Sequence, residues 1–197
     1  PRPRCLRDSP GDGLSETSHV RYEVDGTGPV RVRVTTTLRN EQPDSGQYFY
    51  YWDAYGIPVP AGATDVTATS GGATLPVTLE PTEDPATSAA RVSFSPLNYG
   101  RERTVEWAYT IPGEPIRSEG YTRVGPGYAT FAVSAAGDPG QVTVEIVTPT
   151  SMDFDSTSDG VSPIVAGSAR PGRAPAGAPP VGSAGADGEA AEADGAD

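Results

Sequence analysis

Lysine is absent from this chain of 197 residues, and histidine, cysteine and methionine each occur once. These gaps exclude much chemistry. A phosphate-binding P-loop and a Schiff-base enzyme both need lysine. Serine and cysteine hydrolases and histidine-ligated zinc draw on histidine, and His19 stands alone at the start of the first alternating segment. The single Cys5 has no partner for an internal disulfide. It lies in Pro1-Arg-Pro-Arg-Cys5 with no apolar leader before it, so lipid attachment is disfavoured. No apolar run approaches the roughly 18 residues that span a bilayer.

What charge there is comes from arginine against an excess of acid. The formal net charge is −12, and residues 20–160 hold nine Arg against eighteen Asp and Glu. An acidic body opposes binding to nucleic acid and to anionic lipid, both of which depend on neutralising phosphate. No cofactor is expected.

The ends and the middle differ in composition. Residues 1–18 are rich in Pro, Gly, Ser and charge and read as a disordered lead-in. Residues 161–197 are Ala, Gly, Pro, Ser and acid, with only Val181 as a large apolar side chain after Val165, and read as a disordered tail or linker. Between them, 19–160 has a hydrophobic period of two. Val20, Tyr22 and Val24 alternate with Arg21 and Glu23. Val30, Val32, Val34, Thr36 and Leu38 alternate with Arg31 and Arg33, and Val105, Trp107, Tyr109 and Ile111 with Glu106 and Thr110. Asp65–Leu79 reads as a hairpin across Gly71-Gly72, with Pro76 placing its second arm at an edge or a bulge. Arg91–Ser95, Gly127–Val133 and Gln141–Val147 complete about nine strands separated by Pro/Gly/Asp loops. The expected fold is an all-β, antiparallel two-sheet sandwich.

Tyr48-Phe-Tyr-Tyr-Trp52, followed by Asp53 and Tyr55, is the segment that points most clearly to a contact. Strict alternation sends Tyr48, Tyr50 and Trp52 to one face and Phe49, Tyr51 and Tyr55 to the other. One aromatic face can be core, and the second needs a cover. Phe49, Tyr51, Trp52 and Tyr55 are therefore the expected binding surface, because large rings dominate interface energetics. The partner would be a neighbouring domain or a cell-surface protein. A second reading is a carbohydrate-binding module stacking a sugar on Tyr51, Trp52 or Tyr55.

Other sites are weaker. Asp153, Asp155 and Asp159, with Gly160, resemble a calcium loop, but the EF-hand glycine and glutamate positions hold Ser158 and Ile164. A carboxylate hydrolase would draw on Asp53, Glu102, Glu106 and Glu145, yet Glu106 and Glu145 occupy the solvent phase of their strands. No catalytic residue is expected. Gly125-Pro126-Gly127 lacks the helix of a dinucleotide site and reads as a turn. Arg101, Arg103 and Arg123 suit surface ion pairs.

Tyr48-Phe-Tyr-Tyr-Trp52, Val59-Pro-Ala-Gly-Ala-Thr-Asp-Val-Thr-Ala-Thr-Ser70, Tyr109-Thr-Ile-Pro-Gly113 and Arg123-Val-Gly-Pro-Gly-Tyr-Ala-Thr-Phe131 give residues 20–160 a resemblance to a known family. The body resembles the N-terminal β-domain of large secreted or membrane-anchored actinobacterial proteins, whose downstream region is compared with M1-type metallopeptidases or transglutaminase-like proteins. The resemblance implies an extracytoplasmic module that packs on a following domain. It transfers no functional residue. No HExxH motif and no transglutaminase Cys-His pair is present, so any such catalysis would lie outside this chain.

Overall fold

The computed structural model describes residues 4–5, 13–26, 28–113, 123–125 and 128–149. The calcium-like string at Asp153, Asp155 and Asp159 and the tail lie outside them. The described strands are β1 (Arg4–Cys5), β2 (Leu14–Glu23), β3 (Val30–Asn40), β4 (Tyr50–Pro60), β5 (Thr64–Ser70), β6 (Ala73–Leu75), β7 (Val77–Pro81), β8 (Thr87–Asn98), β9 (Glu102–Ile111), β10 (Arg123–Gly125), β11 (Tyr128–Thr130) and β12 (Val142–Val147). A large sheet has six strands in the order β12-β2-β3-β9-β5-β6, and a small sheet has four in the order β1-β4-β8-β7. A separate hairpin joins β10 to β11. The fold is all-β, and pairing is antiparallel except between β12 and β2 and between β1 and β4.

Alternation builds the large sheet. In β3, Val30, Val32, Val34, Thr36 and Leu38 are buried while Arg31 and Arg33 face water. In β9, Val105, Trp107, Tyr109 and Ile111 are buried, and in β2 so are Val20 and Tyr22. These side chains meet Trp52, Tyr55, Ile57, Val59, Ala90, Val92 and Leu97 of the small sheet in one apolar core. The buried hydroxyls satisfy each other: Ser18 Oγ donates to Thr36 Oγ1 at 3.1 Å. The Tyr22 hydroxyl donates to Ser134 O at 2.8 Å and accepts from Ser134 N at 2.9 Å, while its ring stacks on Phe131 at 5.3 Å. This holds the segment after β11 on the sheet, and the strand expected over Gly127–Val133 stops at Thr130.

Besides the early stop of β11 and the extension of β8 to Thr87–Asn98, three features differ from expectation. The first long strand begins at Leu14, inside the expected lead-in, because Leu14–Ser18 pair with Thr36–Asn40. Pro76 does more than mark an edge. It stands between β6 in the large sheet and β7 in the small one, so the arm after the glycine turn changes sheets where an N–H is missing. The ladder between β4 and β8 is interrupted between Trp52 and Ala54, opposite Phe94–Pro96. Pro96 has no N–H to give to a ladder.

Candidate functional site

The interruption decides the fate of the aromatic run. Strict alternation would separate Trp52 from Tyr55. Instead both strands change phase there, and Trp52 and Tyr55 enter the core together at 1% and 4% exposure. Tyr55 lies 6.5 Å from Trp107 at 55°, and its hydroxyl donates to Glu16 Oε2 at 3.2 Å. Trp52 and Tyr55 are therefore core residues and not part of a binding surface. Phe49 and Tyr51 are placed differently: Phe49 is 58% exposed and Tyr51 is half-buried at the start of β4.

The exposed part of the run is a built end of the sandwich. Ser45 N donates to Tyr48 O at 3.0 Å and Tyr48 N to Ser45 O at 2.9 Å, closing a tight turn over Gly46 and Gln47. Gly46 has φ +60°, a region open to glycine at little steric cost. Asp44 Oδ1 then accepts from Tyr50 N at 3.1 Å, so the chain leaves the turn already aligned for β4. Tyr48, at 55% exposure, sits beside Phe49 on this tip. A second turn reaches the same end. Tyr51 pairs with Asn98 of β8, and Arg101 N donates back to Asn98 O at 3.1 Å around Gly100. That turn carries Tyr99, 52% exposed.

Asn40 fastens both turns. It is fully buried at the end of β3, on the inward phase after Thr36 and Leu38. Its Nδ2 donates to Tyr50 O at 3.1 Å and to Leu97 O at 2.9 Å, while its Oδ1 accepts from Gln42 N at 2.9 Å. Its backbone N donates to Arg101 O at 3.1 Å, and its carbonyl accepts from Gly100 N at 2.8 Å. One amide thus ties the large sheet to β4 and β8 of the small sheet beneath the aromatic tips. A buried amide left unpaired would cost about 1–3 kcal/mol, so the complete set of partners is what makes the position stable. Sequence reasoning missed Asn40 and Tyr99. The signal for Asn40 was a polar residue on the core phase of a valine strand. For Tyr99 it was an Asn-Tyr-Gly turn.

The carboxylates do not gather. Glu102 pairs with Arg39 at 2.9 Å, Glu106 accepts from Thr69 Oγ1 at 3.1 Å, and Glu145 pairs with Arg21 at 2.8 Å. All three are on the outer face of the large sheet. Glu102 and Glu106 are four residues apart on β9, about 13 Å, and Glu145 is three strand spacings across and two residues along from Glu106, about 16 Å. Glycoside hydrolysis needs about 5–10 Å. Asp53 belongs to the small sheet. Hydrogen bonds from Arg21 to Glu23 and then Glu145 raise the guanidinium further above its ordinary value. Of the arginines, Arg103 does not form a simple surface pair: it lies over the Phe94 ring at 4.8 Å and donates to Ser95 Oγ at 2.7 Å. Among the described residues no group of three or more His, Cys, Asp or Glu is assembled for a metal ion, and no helix is long and apolar enough to cross a membrane.

No family model and no curated protein matches the chain. Solved structures do. An M1 zinc metallopeptidase from Deinococcus radiodurans aligns at 15% identity and a TM-score of 0.45, over 70% of this chain and 33% of that one. An aminopeptidase N family protein from Idiomarina loihiensis aligns at 12% identity and a TM-score of 0.35, over 68% of this chain and 22% of that one. The chain thus spans a third or less of these proteins. Their names coincide with the M1 part of the sequence resemblance. They say nothing of an actinobacterial origin, of secretion or of a transglutaminase, and at this similarity they transfer no residue role.

Proposed function

We propose that the chain is a non-catalytic accessory domain of a larger exported protein, and that it docks on a neighbouring domain through the aromatic end formed by Tyr48, Phe49, Tyr51 and Tyr99. The observation that carries this reading is that three rings, each more than half exposed, stand on two turns held from below by one buried amide. Large rings left in water on a rigid support suit burial against a partner, since tyrosine and phenylalanine give much contact area for little lost freedom. The carbohydrate reading has lost Trp52 and Tyr55, two of its three stacking residues, to the core. The export assigned to the parent protein rests on the sequence resemblance.

The test is association of this chain with the separately produced adjoining region of the full-length protein, read by calorimetry. Phe49→Ala with Tyr99→Ala is expected to weaken binding at least tenfold while leaving the unfolding midpoint unchanged. Equal affinity of the double variant and the wild type would sink the proposal. Binding to polysaccharide abolished by the same substitutions would replace it with the carbohydrate reading.

A further inference from the structure

The two sheets present four edges, and among the described residues three of them are guarded. β6 is only three residues long. β7 ends on Pro81, and its Glu80 pairs with Arg91 at 3.4 Å. At the remaining edge of the small sheet, β1 covers Tyr50 and Tyr51 of β4, and further along β4 lacks two N–H groups at Pro58 and Pro60. Short strands, charge and proline are the devices by which sheets refuse further strands.

β12 is twice the length of β6 and holds no proline, and its one charge, Glu145, is turned to Arg21 of β2. Its six residues, Val-Thr-Val-Glu-Ile-Val, hold an unbroken parallel register with β2 from Val142 to Val147. Gln141 O accepts from Ser18 N at 3.0 Å and Val147 O from Val24 N at 2.9 Å, so the odd-numbered residues turn their backbone groups toward β2. In a parallel ladder the alternate residues turn theirs away. Val142, Val144 and Ile146 therefore direct N–H and C=O out of the sheet, and no described residue meets them. Val144, beside the buried Val20, is still 40% exposed.

We infer that this edge pairs with the same edge of a second copy, antiparallel about a two-fold axis at Val144. The strand is self-complementary in that register. On the core side Val142 meets Ile146 and Val144 meets its own copy. On the outer side Thr143 meets Glu145, so no carboxylate directly opposes another. Moving the axis to Glu145 would set like charges face to face, which is unfavourable. Pairing at Val144 supplies roughly six backbone hydrogen bonds, covers Val144 on both copies and makes one continuous sheet from two large ones.

Sedimentation velocity of the full chain over a concentration series tests this directly. The wild type is expected to shift from monomer to dimer as concentration rises. Val144→Pro removes an N–H that faces outward, so it is expected to leave a monomer at every concentration with its unfolding midpoint little changed. Thr143→Pro removes an N–H that faces β2 and is expected to lower that midpoint instead. If Val144→Pro fails to fold, Val144→Lys serves, because it sets two ammonium groups together on the axis and is likewise expected to give only monomer. A wild type that stays monomeric throughout, or a folded Val144 variant that dimerises like the wild type, would overturn the inference.

Discussion

The large and small sheets share one core but are built by different rules. In the large sheet β2, β3 and β9 keep a single phase over ten, eleven and ten residues, and each second side chain reaches the core. In the small sheet β4 and β8 change phase midway, carry Pro58, Pro60 and Pro96, and deliver Trp52 and Tyr55 to the same side. The contrast shows that regular alternation makes a platform, whereas an interrupted ladder sorts neighbouring aromatics into core and surface. The run from Tyr48 to Tyr55 becomes two things: a tip that faces out and a pair of rings that face in.

The sharpest way to break the comparison is to hollow each sheet in turn. Trp52→Ala and Trp107→Ala should each destabilise by about 3–5 kcal/mol in denaturant unfolding. Trp107 is expected at the upper end, because the unbroken ladder with β3 on one side of it relaxes less into the cavity than the kinked strands around Trp52. A larger loss at Trp52 would refute that view of the two sheets. Both indole N–H groups are buried without a partner, so Phe at either position should be milder than removal of a bonded donor.

The next effect separates the sheets at their junction. Asn40→Ala leaves Tyr50 O, Leu97 O and Gln42 N without their amide partner and should cost about 1–3 kcal/mol. Hydrogen exchange should quicken at Tyr50 and Gly100 and stay slow at Val32 and Trp107. Uniform quickening would mean that the two sheets open together.

The smallest effect sits on the large sheet alone. Burial, with a lesser contribution from Tyr22, pushes the Tyr109 phenol up. Its folded value then lies above the unfolded value of about 10, so its contribution to stability is complete below that pH and is lost as pH rises past it, where the unfolded chain releases its proton first. Tyr109→Phe should flatten the alkaline fall in unfolding midpoint. An unchanged alkaline limb would show that other groups govern it.

The contrast between the sheets also explains what could be read from the residues. Val30 to Leu38 announces its buried face without help from the rest of the chain, because nothing interrupts its period. The phase of Tyr55 was not legible, since it depends on Phe94–Pro96, some forty residues later, failing to pair opposite Asp53. Asn40 was visible as a polar residue in a core phase, but its partners belong to three other segments, so its role as a fastener emerges only in the folded chain. Phe49 was expected to meet a partner as part of a strand, and Tyr48 to lie on that strand's other face. They instead occupy the tip before it.

Pro76 has a consequence for how this molecule is assembled and taken apart. The chain visits the large sheet with β2 and β3, the small with β4, the large with β5 and β6, the small with β7 and β8, and the large again with β9. The hop at Pro76 is the tightest of these crossings. No contiguous stretch of sequence completes either sheet alone, so neither can be excised as a smaller module. A single cut near Pro76 would leave two fragments, each holding incomplete parts of both layers, that regain structure only by finding each other.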